Sequence, residues 1–304
     1  MTPHTTGRSG GRERGTELAL RLIRWVAVQL GRAPARALLG PITLYFVLTS
    51  PAARRASRAY LGRVLGRRAG VLQTLRHFHT FAATVLDRVF LITGRHEGFT
   101  LDVHGRELVL DLAKQGRGCI LLGAHHGSFD VMRVVADMHA DIRLKVLMDA
   151  DQNPMITALV HELNPRVADM VIALGDTDSM LAAREFLAEG YMLGMLGDRA
   201  AGSRRITRCR FLGDEAAFPT GPMALAAMLE VPVILFAGLY RGGARYDIHF
   251  ELLAQRVQLA RGRRDADLQR WTQRYAERLE AHVRRAPYNW FNFYDFWELP
   301  APRR

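Results

Sequence analysis

The segment Gly123-Ala-His-His-Gly-Ser-Phe-Asp130 sets a histidine and a carboxylate where the apolar run Cys119-Ile-Leu-Leu122 gives way to helical patterning. On a continuous helix His125 and Asp130 would point about 140° apart, so the two can meet only across a turn. If His125 ends a strand, Gly127 supplies the bend, Ser128 caps the helix and Asp130 lies in its first turn, the carboxylate reaches back to the imidazole. Asp130 then fixes the ring tautomer and the other ring nitrogen is free to take a proton, which is the chemistry of a general base.

His126 is the rival base, since His126 and Asp130 at i and i+4 share a helix face if the helix starts before Gly127. Two other readings stay open on these residues. His125, His126 and Asp130, with His139, could ligate a metal in a hydrolase, although neither a His-x-x-Glu-His helix nor a downstream ligand cluster accompanies them. The chain could also be a non-catalytic basic scaffold on a membrane, against which the intact His125 and Asp130 speak.

Further polar groups fall where they could assist. Asp198 and Arg199 follow the apolar run Tyr191–Leu196 and so emerge at a strand's carboxyl end, the edge where open α/β sheets place ligands. Next comes Gly202-Ser-Arg-Arg-Ile-Thr-Arg-Cys-Arg210, read as a loop, whose Arg204, Arg205, Arg208 and Arg210 suit bidentate contacts to phosphate. Phe218-Pro-Thr-Gly-Pro222 opens an apolar helix, and the free amides about Thr220 and Gly221 suit an anion. The tail Pro287–Trp297 is strongly aromatic, fit to cap a core, line an acyl tunnel or sit in a lipid interface.

The elements that must hold these groups follow from periodicity. From Phe99 onward strands expected at 101–104, 118–123, 144–148, 171–174, 191–196 and 231–239 alternate with helices at 106–114, 128–139, 155–163, 179–189 and 222–229. Residues 246–252 are expected as an edge strand and 264–284 as a long polar helix. Such alternation predicts an αβα sandwich with a largely parallel central sheet. Before it, residues 56–98 carry apolar side chains at helical spacing, and the apolar run 37–49 is too short to span a bilayer but is flanked by Arg32, Arg36, Arg54, Arg55 and Arg58. That pattern suits a helical preface resting on an anionic membrane surface, or a helical pair packed on the protein's own core. The division expected is a disordered basic tail over 1–15, a helical membrane-associating region over 16–98, and an α/β domain over 99–304. The stretch 18–30 is interrupted by Arg21 and Arg24 and does not read as a signal peptide.

A chain of 304 residues, 49% hydrophobic, can build a large core unaided. Its formal charge of +12 is carried almost wholly by arginine, Lys114 and Lys145 being the only lysines. That balance attracts anionic lipid or an acidic protein; without zinc-finger spacing or ribonucleoprotein aromatics it does not point to nucleic acid. Two cysteines, Cys119 in an apolar strand and Cys209 in a basic loop, do not read as a disulfide framework and fit a reducing cytoplasm.

His125-x4-Asp130 resembles the signature of the glycerolipid and lysophospholipid acyltransferase superfamily. In order along the chain, Gly197-Asp-Arg199, Phe211-Leu-Gly213, Phe218-Pro-Thr-Gly-Pro222 and Val231-Pro-Val-Ile234 are similar to its branch of bacterial lipid A lauroyl and myristoyl acyltransferases. Two positions depart from the relatives: Asp130 stands where the lipid A branch commonly has Glu, and Thr220 where the glycerolipid branch has an acidic residue. The resemblance implies a metal-free, cofactor-free acyltransferase at the cytoplasmic face of a bacterial inner membrane. It would move a fatty acyl group from acyl carrier protein or coenzyme A to a hydroxyl or amine of a lipid or glycolipid. His125 would be the base, Asp130 its orienting partner, and Asp198, Arg199, Arg204, Arg205, Thr220 and Gly221 the substrate contacts.

Overall fold

A computed structural model describes residues 29, 31–148, 164–173, 177–200, 203 and 205–298. The expected tail, the stretch 18–28, the helix at 155–163, and Arg204 lie outside the described residues. Among the described residues the bounded elements open with helices α1 (Arg32–Ala37), α2 (Leu39–Thr49), α3 (Pro51–Leu65) and α4 (Val71–Ile92). Pro51 starts α3 where its missing N–H costs nothing, and Gly66 ends it in the left-handed conformation that glycine tolerates.

The α/β region then runs β1 (Thr100–His104), α5 (Arg106–Lys114), β2 (Cys119–Gly123), α6 (Asp130–Asp137), β3 (Leu144–Met148), α7 (Pro165–Ala168), β4 (Val171–Ala173), α8 (Thr177–Ala188) and β5 (Met192–Leu196). It continues with β6 (Ile206–Phe211), β7 (Asp214–Pro219), α9 (Gly221–Leu229), β8 (Val233–Gly242), β9 (Arg245–Ala254) and α10 (Arg264–Arg285), ending in a short 3₁₀ turn, Pro287–Asn289. Seven strands form one sheet in the order β1-β9-β8-β2-β5-β3-β4, in which only β8 and β9 pair antiparallel. The expected parallel sheet is therefore present.

Two expectations are corrected. Residues 246–252 do not form an edge: β9 lies between β8 and β1, whose residues Thr100–His104 cover it in parallel register. The arginine-rich segment is not a loop throughout, because β6 pairs with β7 in a separate hairpin. Its turn is Leu212-Gly213, both at positive φ, the geometry that joins two strands most tightly.

The sheet is packed on both faces. Alternating residues of β2 divide between two apolar clusters. Ile120 and Leu122 face Tyr60, Phe211, Phe218, Tyr275 and Trp290, whereas Cys119 and Leu121 face Leu86, Phe90, Val131 and Val134. This is the αβα sandwich, with β2 buried along its whole length as a central parallel strand must be. The preface belongs to the same cores: Tyr60, Leu61 and Val64 of α3 join the first cluster, and Leu39 of α2 and Leu86 of α4 the second. Outward from α2, Leu44, Tyr45 and Leu48 remain at least half exposed. No helix among the described residues is long and apolar enough to cross a membrane. Both cysteines are free and buried.

Candidate active site

The turn after β2 is held by two close backbone approaches. Gly127 has φ +76°, and a Cβ there would stand 1.9 Å from the Gly238 carbonyl oxygen of β8. Gly238 in turn lies against the Ser128 carbonyl. Only paired glycines let the turn settle on the neighbouring strand, with Ser128 N–H donating to Gly238 O at 2.8 Å. Gly127 thus supplies the bend as expected, but Ser128 does not cap α6. Phe129 occupies the capping position and the buried Ser128 Oγ has no partner among the described residues.

Parallel register decides what His125 meets. Gly123 of β2 is aligned with Leu196 of β5, and Gly197 N–H donates to Gly123 O at 3.0 Å. Continuing the pairing two residues past both strand ends sets His125 opposite Asp198. Asp198 Oδ1 accepts from the His125 backbone N–H at 3.1 Å and lies 2.8 Å from ring Nδ1. Asp198 Oδ2 accepts from Asn292 Nδ2 at 2.8 Å and from the Trp290 indole at 3.2 Å. The carboxyl is fully buried, which pushes its pKa up. The charge and hydrogen bond of His125, the amide of Asn292 and the charge of Arg199 together overcome that burial and hold it at about 2. An ionised Asp198 accepts only, so Nδ1 carries the ring proton. Nε2 has no hydrogen-bond partner among the described residues, and a quarter of the His125 side chain is exposed.

Asp130 is the correction. Its carboxylate takes an ion pair from Arg88 Nε of α4 at 2.6 Å instead of reaching His125. Because α6 begins only at Asp130, His126 does not share a helix face with it. His126 is buried, its Nε2 lies 3.2 Å from Ala286 O, and burial depresses its pKa to about 3. His125, His126 and Asp130 therefore engage three different partners, and no described group of His, Cys, Asp and Glu is disposed to hold a metal.

The remaining candidates are gathered along the same sheet edge. Arg199 does not pair with Asp198 but donates to Asn292 Oδ1 at 2.8 Å and Phe291 O at 3.1 Å. A Cβ on Gly197 would stand 3.4 Å from Pro222, which brings the start of α9, with Thr220 and Gly221, beside the end of β5. Thr220 N–H donates to Arg205 O at 3.1 Å, tying the exposed Arg205 to that turn. Arg208 instead pairs across the hairpin with Glu215 at 3.5 Å. Four contributors were not foreseen: Arg88 on α4, Tyr275 on α10, whose hydroxyl donates to Gly123 O at 2.8 Å, and Trp290 and Asn292 in the aromatic tail. The one available signal was two asparagines, Asn289 and Asn292, within an otherwise aromatic run.

Among curated proteins none matches the sequence. A family does: the profile of the bacterial lipid A biosynthesis acyltransferases spans residues 24–298, so the chain belongs to that family and is an acyltransferase, its reactants an acyl donor and a lipid acceptor.

Proposed function

We propose that the enzyme transfers a fatty acyl group from the thioester of acyl carrier protein or coenzyme A to a hydroxyl or amine of a membrane lipid or glycolipid, with His125 as general base and Asp198 as its orienting carboxylate. The observation that carries this is the pairing of a fully buried, ionised Asp198 with His125 Nδ1 while Nε2 stays open at the carboxyl edge of the sheet. Nε2 takes the acceptor proton as the oxygen or nitrogen attacks the thioester carbonyl. Collapse of the tetrahedral intermediate breaks the C–S bond, and the imidazolium returns its proton to the departing thiolate. Asp198 stabilises that imidazolium and keeps the ring in the Nδ1–H tautomer, as a buried carboxylate does for a catalytic histidine.

Arg205, Thr220 and Gly221 beside the same edge suit the phosphate or polar head of a substrate. At the preface, exposed Leu44, Tyr45 and Leu48 and the exposed Arg55 and Arg58 support peripheral docking on the anionic cytoplasmic leaflet of a bacterial inner membrane.

Acyl thioester consumption, measured with total bacterial lipid extract as acceptor and with product mass spectrometry, tests the reading. His125→Ala should lower turnover by about 10²–10⁴-fold with circular dichroism unchanged. A folded His125→Ala enzyme at wild-type rate removes His125 as the base.

A further inference from the structure

The C-terminal segment Pro287–Asn292 is built into the catalytic turn. Phe291 N–H donates to His125 O at 2.7 Å, and Gly127 N–H donates to Asn289 O at 2.8 Å. Asn289 also exchanges hydrogen bonds with the Tyr240 backbone of β8 at 2.7 and 3.2 Å. From the preface, Tyr60 donates to Pro287 O at 2.5 Å and His77 Nε2 to Trp290 O at 2.8 Å. Burial holds the His77 pKa down at about 4, so the ring is neutral, and Ser57 at 2.8 Å from Nδ1 completes its bonding. Hydrogen bonds from five residues thus fix a segment of six residues whose first half is the short 3₁₀ turn.

What this segment presents inward is two N–H donors on one oxygen. The orientation of the Asn292 amide is forced. Arg199 can only donate and the ionised Asp198 can only accept, so Oδ1 must face Arg199 and Nδ2 must face Asp198. Trp290, fully buried among Tyr60, Phe211 and Phe296, holds its indole on the same Asp198 Oδ2. The carboxylate is left with no rotation that keeps both donors, and Oδ1 stays on His125.

We propose that this strap is a positioning element for acyl transfer, Asn292 and Trp290 fixing the outer oxygen of Asp198 so that its inner oxygen holds His125; this rests on Asp198 being the orienting carboxylate. The strap acts only through Asp198 and touches no reacting atom. Removing a donor from Oδ2 concentrates charge on the carboxylate and strengthens its pull on the proton at the imidazole Nδ1.

The test uses full-length enzyme, acyl-coenzyme A and acyl-acyl carrier protein presented in parallel as donors, and total bacterial lipid extract as acceptor. Asn292→Leu conserves volume, and Trp290→Phe keeps an aromatic ring at the buried position while removing the indole N–H together with part of the ring volume. Asn292→Leu should lower kcat about 10- to 100-fold and Trp290→Phe about 3- to 10-fold, with thioester KM within about twofold, as expected for lost hydrogen bonds to a charged group. In both, the acid limb of the pH–rate profile should move up by about 0.5 unit. A purely structural strap would instead scale activity equally at every pH, and an unshifted limb overturns the proposal whatever the loss of rate. If Asn292→Leu does not fold, Trp290→Phe decides alone. Asp198→Asn separates the two levels. If it is crippled while the strap variants keep wild-type rate and profile, only the strap proposal fails. If it keeps wild-type rate, the underlying assignment fails as well.

Discussion

Two aspartates end up near the histidine turn, and they occupy different physical environments. Asp198 is fully buried, carries four hydrogen bonds and is ionised against its desolvation. Asp130, five residues from His125 in sequence, sits in the first turn of α6 with its side chain partly exposed, paired with Arg88. The remote aspartate is the one equipped to tune a base, because strand register, and not sequence spacing, sets which side chains face each other across a sheet edge. The near one clasps α4 to α6 and so joins the preface to the α/β layer.

The largest consequence is catalytic. Asp198→Asn should cut kcat/KM by about 10³–10⁴-fold, the scale at which a buried carboxylate that sets a catalytic tautomer is felt. Asp130→Asn should cost less than about tenfold in the same thioester assay. Comparable losses in the two would erase the distinction.

A smaller effect separates the two adjacent histidines. His126 stays neutral in the folded protein down to about pH 3, because burial opposes its charge, whereas an unfolded chain protonates it below about pH 6.5. The unfolded state therefore binds the extra proton between those values, and its contribution to stability, whole above pH 6.5, is lost as pH falls through that window at about 1.4 kcal/mol per unit. His77 and His249, both held at about 4 by burial, act in the same sense. Denaturant melts of wild type and His126→Gln from pH 7 to 4.5 should show a shallower slope in the variant. A parallel pair of curves would contradict the buried neutral state.

The smallest effect is at the clasp. With side chains 29% and 15% exposed, Arg88 and Asp130 are screened by solvent, so their double-mutant coupling energy should be about 1 kcal/mol or less. A coupling of several kcal/mol, or a matching loss of kcat, would move Asp130 back toward the chemistry.

Much of this was legible in the sequence, and the failures have physical causes. Strong periodicity revealed β2, β5, α9 and α10 nearly to the residue, and Gly127 announced its bend, because local patterning decides those features. The hairpin β6–β7 was missed since arginines at 208 and 210 masked the alternation that buries Cys209 and Phe211. The edge assignment for β9 failed because β1, whose Thr100 pairs with Arg245 far along the sequence, covers it. Asp198 was placed at the right sheet edge, yet its link to His125 needs the β2–β5 register, which no local pattern contains. Asn292 and Trp290 were hidden for the same reason: only tertiary packing brings the tail to that oxygen.

The central claim is most directly tested at the imidazole itself, by ¹⁵N–¹H NMR of enzyme labelled at histidine. Wild type and Asp130→Asn should both show the His125 ring protonated at Nδ1, with a downfield Nδ1–H resonance that identifies a bond to carboxylate, and Asp198→Asn should lose it. Retention of that resonance in Asp198→Asn together with its loss in Asp130→Asn would contradict the account.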